Sequence, residues 1–429
     1  MTNAQKKKAS KLNFIAFVRI YVFVTGTMSL VALLFQMRVL DSHLLELPFA
    51  NSPPPLFPEI ERPVSTPTKR KVTQNTGCGE IVEEEDDDDL KPILEILCEA
   101  GYDVSRNSRE IDRSVLPKWS EILELYGPPK ILGLESCQSF RDTIAFKRRR
   151  IAPAGIFNSG TNLVGALISR NCDGGRNAWQ VSWGKHHPFG NRTNHFAGNI
   201  KAPHHENLPV VSIRDPYTWM QSMCRQPYGA QYSFAKSSCP NLVPYPSDIE
   251  AHPRFAKMKY IPVTVKYDMR VGFRRKYESM GHLWNEWYGE YIEFENTTTT
   301  SNNNNNNNNN NGGDPQQAET TATMKPPSVP FLVVRMEDLV FHAKTVVPQL
   351  CSCVGASMKN DGQTMYVSAQ QNRNHGIDKV KGAGLLRSVI NYGNITKRRD
   401  GYPAFQLEAA KEILDPRLMT LLGYRYEEP

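Results

Sequence analysis

The chain has 429 residues and a mass of 48.6 kDa, enough for more than one domain of average size. Apolar residues make up 40% and charged residues 22%, a balance that excludes a wholly disordered, collagen-like or multi-span membrane protein. The net charge is +7, although the run at 83–89 alone holds seven acidic residues. The rest of the chain is therefore strongly basic, which favours anionic ligands or partners.

The N-terminal segment predicts a membrane anchor. Four lysines lie within residues 6–11, and residues 20–37 carry no charge. A bilayer core needs about 20 apolar residues, a length reached here if Arg19 extends its charge to the cytosolic face. The positive-inside rule then predicts a cytosolic tail at 1–11 and a single-pass type II signal anchor at 12–37. A cleaved signal peptide is the alternative, although its apolar region would be shorter and would end in a small-x-small site.

Two further segments predict disorder. Residues 38–89 are rich in proline and end in the acidic run, which is typical of a stalk. The run contains an Asp-x-Asp pattern like the metal motif of glycosyltransferases, but no flanking strand, so a solvated linker is the preferred interpretation. Ten consecutive asparagines begin at Asn302, within a low-complexity insertion at about 297–327. The folded lumenal domain is therefore predicted over 90–429, interrupted by this insertion.

A lumenal domain can carry glycans and disulfides. Sequons occur at Asn191, Asn296 and Asn394. Cys224 with Cys239, or Cys351 and Cys353 with partners elsewhere, are candidate pairs, although spacing alone does not determine the pairing.

The first predicted elements are helices at 90–100 and 119–126, followed by a strand, a glycine loop and a helix within 148–170. Gly155 and Gly160 have the G-x-x-x-x-G spacing of a loop that offers backbone N–H groups to a phosphate. Thr161 and Asn162 follow, where a nucleoside-triphosphate loop has Lys and Ser/Thr. This argues against an ATPase or kinase and retains an anion-binding loop.

A second apolar strand at 208–213 ends at Arg214, and a helical run follows at 217–224. Arg214 and Ser222 can converge on one anionic group, since a guanidinium and a hydroxyl both donate to phosphate oxygens. The alternative is a surface ion pair between Arg214 and Asp215. A third strand at 329–335 precedes a helix at 343–354. These units predict an α/β fold, a parallel sheet flanked by helices with a P-loop-like nucleotide-binding core, preceded by one transmembrane helix.

With these motifs in order, the chain resembles the 3′-phosphoadenylyl sulfate (PAPS)-dependent sulfotransferases of the membrane-anchored, lumenal type. Asn-Ser-Gly-Thr-Asn at 158–162 is similar to the family's 5′-phosphosulfate loop, and Arg214 with Ser222 eight positions later matches its 3′-phosphate signature. Val-Arg-Met-Glu-Asp-Leu at 334–339 and Leu-Leu-Gly-Tyr at 421–424 resemble two later segments. The resemblance covers about 146–296 and 329–429.

The resemblance implies that PAPS is the co-substrate and that no metal is needed. The acceptor would be a carbohydrate or protein hydroxyl in the Golgi lumen, including an anionic glycan, and no nucleic acid would be bound. The implied nucleotide-binding residues are Asn158, Ser159, Gly160, Thr161, Asn162, Arg214 and Ser222.

The sequence departs from the family at two places. Asn158 stands where the family's loop has a basic residue, so another cation is needed near the sulfuryl group, and Lys185 is the candidate. The segment that closes over the nucleotide has no clear match, although Arg387 and the basic residues at 397–399 supply charge.

The base for the acceptor hydroxyl has several candidates. Soluble family members have Lys-x-His-x-Pro between the two nucleotide motifs, and Trp-Gly-Lys-His-His-Pro occurs here at 183–188. His187 is the first candidate and His186 the second, since an imidazole with a pKa of about 6.5 suits proton transfer. A turn with solvated imidazoles is one alternative, and Glu206 after two histidines is a rival base. The histidines show no metal-ligand spacing. The alternative function is a catalytically inactive, sulfotransferase-like lumenal protein that binds nucleotide or glycan.

Overall fold

In a computed structural model, the described part of the chain comprises residues 88–105, 111–174, 176–193, 203–232, 238–267, 273–292, 329–367 and 384–428. All of them belong to one compact unit, 74–429. The predicted tail, signal anchor and insertion, almost all of the predicted stalk, and the Asn296 sequon lie outside the described residues. Among the helices that the structure describes, none is long and apolar enough to cross a membrane.

The strands of the described residues are numbered in chain order. They are β1 (Ile131–Leu132), β2 (Arg150–Ala154), β3 (Cys172–Asp173), β4 (Arg176–Asn177), β5 (Asn207–Ile213), β6 (Ala230–Gln231), β7 (Val263–Lys266), β8 (Arg274–Tyr277), β9 (Leu332–Arg335) and β10 (Ser357–Met358). The main sheet has the order β1-β9-β5-β2-β4. Its last four strands run parallel, and β1 pairs with β9 antiparallel. β6, β7 and β8 form a separate antiparallel sheet, and β3 pairs with β10.

The α-helices of the described residues are numbered likewise. They are α1 (Lys91–Glu99), α2 (Trp119–Tyr126), α3 (Ser136–Thr143), α4 (Thr161–Asn171), α5 (Pro216–Arg225), α6 (Pro246–Ala251), α7 (Met280–Gly289), α8 (Met336–Phe341), α9 (Ala343–Cys353), α10 (Leu385–Tyr392), α11 (Ile395–Arg398), α12 (Ala404–Ile413) and α13 (Pro416–Leu422).

The mixed α/β class and the helix-flanked, mostly parallel sheet are confirmed. The three predicted strands are observed as β2, β5 and β9, each followed by the predicted helix. The predicted parallel sheet is extended at one edge by an antiparallel strand, β1, which the sequence did not predict. Only two residues of this strand pair with β9, too few to show a pattern in the sequence.

Burial explains why the central segments form these elements. Every residue of β5 is buried, as expected for a strand covered on both faces, and the sequence is apolar apart from Asn207 and Ser212. In α4, Leu163, Val164, Leu167 and Ile168 share one face and are buried. At the start of α5, the Asp215 carboxylate accepts from the Thr218 N–H and Pro216 occupies the first turn. The sheet and helices therefore fix the ends of β2 and β5 side by side.

A buried arginine ties the C-terminus to the sheet. Arg335 ends β9 with no exposed surface and binds both oxygens of Asp338 at 2.7 Å. The same guanidinium donates to the carbonyls of Tyr126, Pro128 and Leu422. The Arg-Met-Glu-Asp segment therefore has a structural role, joining α2, β9 and α13.

Between described cysteines there are three disulfides: Cys137–Cys353, Cys172–Cys351 and Cys224–Cys239. Cys98 is disulfide-bonded as well. None of the described cysteines is free. Disulfides form and persist in oxidising compartments, so this domain belongs to the lumen of the secretory pathway or to the cell exterior.

Candidate functional site

The glycine loop joins the end of β2 to the start of α4. Gly155 and Gly160 have φ values of 156° and 90°. A Cβ at Gly155 would lie 2.4 Å from the Ser159 Oγ, and one at Gly160 would lie 2.8 Å from the Met336 Cγ. No larger residue fits at either position without movement of its neighbours. The two glycines therefore allow a tight loop against the sheet edge.

Helix α4 begins without a side-chain cap. Its N-cap is Gly160, and within the described residues the amides of Gly160, Thr161 and Asn162 have no hydrogen-bond acceptor. These N–H groups lie at the positive end of the helix dipole. The loop can therefore accept an anion here, as predicted for residues 158–162.

Arg214 follows β5, the strand next to β2, and is 3% exposed. Its guanidinium donates to the Asn158 carbonyl at 3.2 Å and to the Thr218 carbonyl at 2.8 Å, and it lies 4.5 Å from the centre of the Tyr392 ring. The alternative of a surface ion pair with Asp215 is wrong, because Asp215 is buried and binds Arg398 at 2.6 Å. No described carboxylate forms an ion pair with Arg214, so its guanidinium can bind another anion.

Ser222 and Asn158 connect the loop with α5. The Ser222 Oγ accepts from Arg225 at 2.8 Å. The Asn158 side chain donates to the Gln226 carbonyl at 2.8 Å, just beyond α5, and its backbone has a φ of 62°. Asn158 therefore anchors the loop to this helix. Asn158 also contacts both Arg214, through its carbonyl, and the Ser222 carbonyl, at 3.4 Å from its side-chain amide. The convergence of the Arg214 and Ser222 side chains on one anion stays a prediction.

A cavity of about 620 Å³ opens beside Arg214. Its cationic lining residues are Arg214, Arg225, Arg387 and Lys397, against one acid, Asp400. The other lining residues are Thr218, Gln221, Cys224, Cys239, Pro240, Asn391, Tyr392 and Gly401. A volume of this size suits a ligand as large as a nucleotide. The positive charges favour a phosphate-bearing one.

The later basic residues divide between the cavity and the core. Arg387 and Lys397 line the cavity. Arg398 is buried against Asp215 and Glu427, and Arg399 lies 3.7 Å from a Glu427 oxygen. Arg225, which the sequence analysis missed, follows Ser222 by three positions, so a search for cations on the same helix face would have found it.

Lys185 brings a cation to the start of α4. Its Nζ donates to the Asn162 Oδ1 at 2.8 Å and lies 4.1 Å from the centre of the Trp179 ring. The side chain is 8% exposed, and this burial lowers the pKa of the Lys185 amine to about 8. A backbone bond from the Gly155 N–H to the Lys185 carbonyl, 2.7 Å long, fixes the two segments together.

The two histidines have different surroundings. His186 is half-buried, and its Nδ1 lies 2.8 Å from the Gly155 carbonyl oxygen, at the loop. His187 is buried, and its Nε2 lies 3.1 Å from the Tyr267 carbonyl oxygen. A carbonyl only accepts, so each of these ring nitrogens carries a proton. His186 therefore contacts the loop directly, whereas His187 packs toward the second sheet.

Glu206, the rival base, lies at the opposite end of β5 from the loop. Glu206 precedes β5 and binds Arg148 at 2.6 Å, whereas Arg214 follows the same strand. Seven residues of strand separate the two ends, roughly 20 Å. Glu206 therefore does not reach the loop. In the part of the chain that the structure describes, no group of three or more His, Cys, Asp or Glu side chains is arranged to hold a metal ion.

A buried acidic group lies beneath Arg214. Glu337 follows β9, and its carboxylate accepts from the Asp215 N–H at 3.1 Å and from the Tyr424 hydroxyl at 3.0 Å. Burial, together with the nearby Asp215 charge, raises the pKa of the Glu337 carboxyl to about 7.

No family model, no characterised protein and no solved structure matches this chain. The chemistry of the site is therefore inferred from its own residues.

Proposed function

We propose that the protein is a PAPS-dependent sulfotransferase that moves a sulfuryl group to a carbohydrate or protein hydroxyl. The observation that carries this proposal is the pairing of two anion-binding elements. The uncapped start of α4 follows β2, and the Arg214 guanidinium follows the adjacent strand β5. The two elements meet where Arg214 donates to the Asn158 carbonyl at 3.2 Å. PAPS carries charged groups at both its 5′ and 3′ positions, so it needs two such elements close together.

Each site residue has a role in this proposal. The amides of residues 160–162 hold the 5′-phosphosulfate, whereas the Ser159 N–H donates to the Ile156 carbonyl. Lys185 neutralises the charge that develops on the departing phosphate. Arg214, Ser222 and Arg225 hold the 3′-phosphate. These residues form a P-loop-like nucleotide-binding core without the triphosphate lysine. In the whole protein, the predicted type II anchor holds this domain in the Golgi lumen.

The transfer itself is a displacement at sulfur. The acceptor oxygen forms a bond to sulfur while the bond from sulfur to the 5′-phosphate oxygen breaks, and the hydroxyl proton passes to a base. The leaving group is adenosine 3′,5′-bisphosphate. The Nδ1 of His186 is held by Gly155, which leaves its Nε2 as the proton acceptor. His187 remains the other candidate base.

A second function has one observation in its favour. The Asn158 amide carries no charge and is engaged with the Gln226 carbonyl. A protein without the loop cation can bind the nucleotide or a glycan and fail to transfer sulfate. Transfer of labelled sulfate from PAPS to a panel of glycans and peptides separates the two functions.

The nucleotide site is tested by calorimetry with adenosine 3′,5′-bisphosphate and adenosine 5′-phosphosulfate. Arg214→Ala removes a charge-assisted contact of roughly 1.5–3 kcal/mol, or about tenfold to a hundredfold in affinity, for the 3′-phosphorylated nucleotide only. Ser222→Ala should cost about 1 kcal/mol.

Arg214 is buried, so Arg225→Ala serves as a second variant that avoids misfolding, and exposed Lys411→Ala is the control. Undiminished binding of the bisphosphate by both arginine variants contradicts the assignment of the 3′-phosphate site.

A further inference from the structure

The second sheet has one buried and one exposed face. Val263 pairs with Tyr277 and Val265 with Arg275, on the face turned toward the interior. On the opposite face, Thr264 pairs with Lys276 and Lys266 pairs with Arg274. Arg274 and Lys276 are exposed, and Lys266 is half-buried. We call Lys266, Arg274 and Lys276 the basic sheet face.

The register of this face is unfavourable for the isolated protein. Lys266 and Arg274 lie directly opposite each other, and like charges in this position destabilise a strand pair. Within the described residues, none of the three cations forms an ion pair. Arg275, on the inner face, instead binds Glu286 of α7 and Glu290, which directly follows that helix. Glu278, two positions after Lys276, lies 3.6 Å from His282 instead. The charge of the three cations is therefore available to an external anion.

The basic sheet face continues to the glycine loop. The Lys266 N–H donates to the Gly229 carbonyl at 2.8 Å. Next to Gly229, the Tyr228 ring stacks on Phe157 of the loop, with ring centres 5.7 Å apart and an angle of 11° between the planes. Tyr228 is 46% exposed. One surface therefore leads from the three cations through an exposed aromatic ring to the loop.

We propose that the basic sheet face binds a polyanionic glycan, which is the acceptor of the transfer proposed above. Successive outward residues on one strand are about 6–7 Å apart, so the cations can meet acidic groups on neighbouring sugars of an extended chain. The exposed ring of Tyr228 offers an apolar platform with a polar edge, which suits a sugar ring better than an acidic peptide. This inference rests on the proposed function only for the identity of the acceptor.

Glycan binding by the full-length protein in detergent is measured with heparin as the probe, and with neutral dextran and polyglutamate for comparison. Lys266→Gln, Arg274→Gln and Lys276→Gln together should weaken heparin binding by roughly tenfold or more and reduce its salt dependence. The matched control removes three exposed charges elsewhere, Lys118→Gln, Lys344→Gln and Lys411→Gln, and should leave the affinity unchanged. Tyr228→Ala should weaken heparin more than polyglutamate.

Equal heparin affinity in the sheet-face triple variant and in the parent overturns the proposal. So does competition between heparin and adenosine 3′,5′-bisphosphate, which would place heparin in the nucleotide cavity. Tighter binding of polyglutamate than of heparin would identify an acidic peptide and overturn the glycan. Heparin binding that depends on the sheet face, in a protein that transfers no sulfate, would support the surface while contradicting the proposed enzyme.

Discussion

Lys185 combines a buried charge with a position at the start of α4. If it replaces the missing loop cation, Lys185→Met should abolish sulfate transfer, while Lys185→Arg should retain part of it. The methionine variant should melt at the same or a higher temperature, because it removes the cost of burying a charged amine. Thermal melting and transfer assays on the same samples check this. A fall in both would identify Lys185 as a structural residue.

The lowered pKa of Lys185 also predicts a pH dependence. The amine loses its proton as pH rises through about 8, so transfer should decline above that pH in the parent protein. The decline should move to higher pH in Lys185→Arg, since a guanidinium remains charged. An unchanged profile in this variant contradicts the role of the lysine.

Glu337 predicts a pH-dependent stability. Its folded pKa of about 7 exceeds its ordinary value of 4.5. The stability that this group contributes is therefore complete below pH 4.5 and is lost as pH rises to about 7. Glu337→Gln keeps both hydrogen bonds and should be more stable than the parent at pH 8, on the order of 2 kcal/mol, and similar to it at pH 5.

Urea unfolding at both pH values checks this prediction. Asp338→Asn, which breaks the bond with Arg335, is the contrasting variant and should be less stable at both. Equal stability of Glu337→Gln and the parent at pH 8 would contradict the raised pKa.

Single residues were predictable where local spacing carries the information. Arg214 follows a strand and Ser222 lies on the next helix, as the eight positions between them predict. Lys397 and Arg398 have different surroundings because adjacent helix residues point in different directions. One faces the cavity and the other is buried against Asp215, a residue 183 positions away. The sequence alone contains no local sign of such a distant partner.

At the scale of elements, the disulfide between Cys224 and Cys239 lies beside the cavity, and both cysteines line it. Cys224 lies between Ser222 and Arg225 on α5. Serine replacement of both cysteines should therefore lower the affinity for adenosine 3′,5′-bisphosphate several-fold, because the wall of the cavity loses its constraint. Calorimetry measures this effect, and chemical unfolding gives the stability.

The comparison is the variant in which Cys172 and Cys351 are both replaced by serine. Their disulfide joins residues 179 positions apart, against 15 for Cys224–Cys239. Because Cys137–Cys353 remains in this variant, the shortest loop that Cys172–Cys351 closes runs through 137–172 and 351–353. Chain entropy for that loop predicts a stability loss of about 4 kcal/mol, against about 3 kcal/mol for the cavity pair. The nucleotide affinity should change only in the cavity pair. The same loss of affinity in both would show that it results from general destabilisation.

The long central elements were predictable, since continuous apolar runs between glycines and prolines define β2, β5 and β9. The second sheet was missed, although Val-Thr-Val-Lys of β7 has the alternation of a half-buried strand. Its partner β8 is mostly charged, and only its pairing with β7 makes it a strand. Pairing between distant segments, like disulfide pairing, is decided by the whole fold.

At the scale of the whole molecule, the disulfides indicate a lumenal or extracellular domain, and the sequence of the N-terminus predicts the lumenal side. Protease treatment of intact microsomes should spare the chain beyond about residue 40 and should digest it after detergent is added. Of the described sequons, Asn394 is half-buried and Asn191 is 9% exposed, so Asn394 is the more accessible glycan site. Digestion of the domain in sealed microsomes would contradict the type II topology.

The covalent links also determine what happens if the backbone is broken between α7 and β9. Cys137 and Cys172 precede that interval, and their partners Cys353 and Cys351 follow it. Strand β9 also pairs with both β5 and β1, which come before it. A protein cut once in this interval would remain a single covalent molecule with its central sheet intact. Its two pieces would separate only on reduction and denaturation, so the domain tolerates conversion from one chain into two.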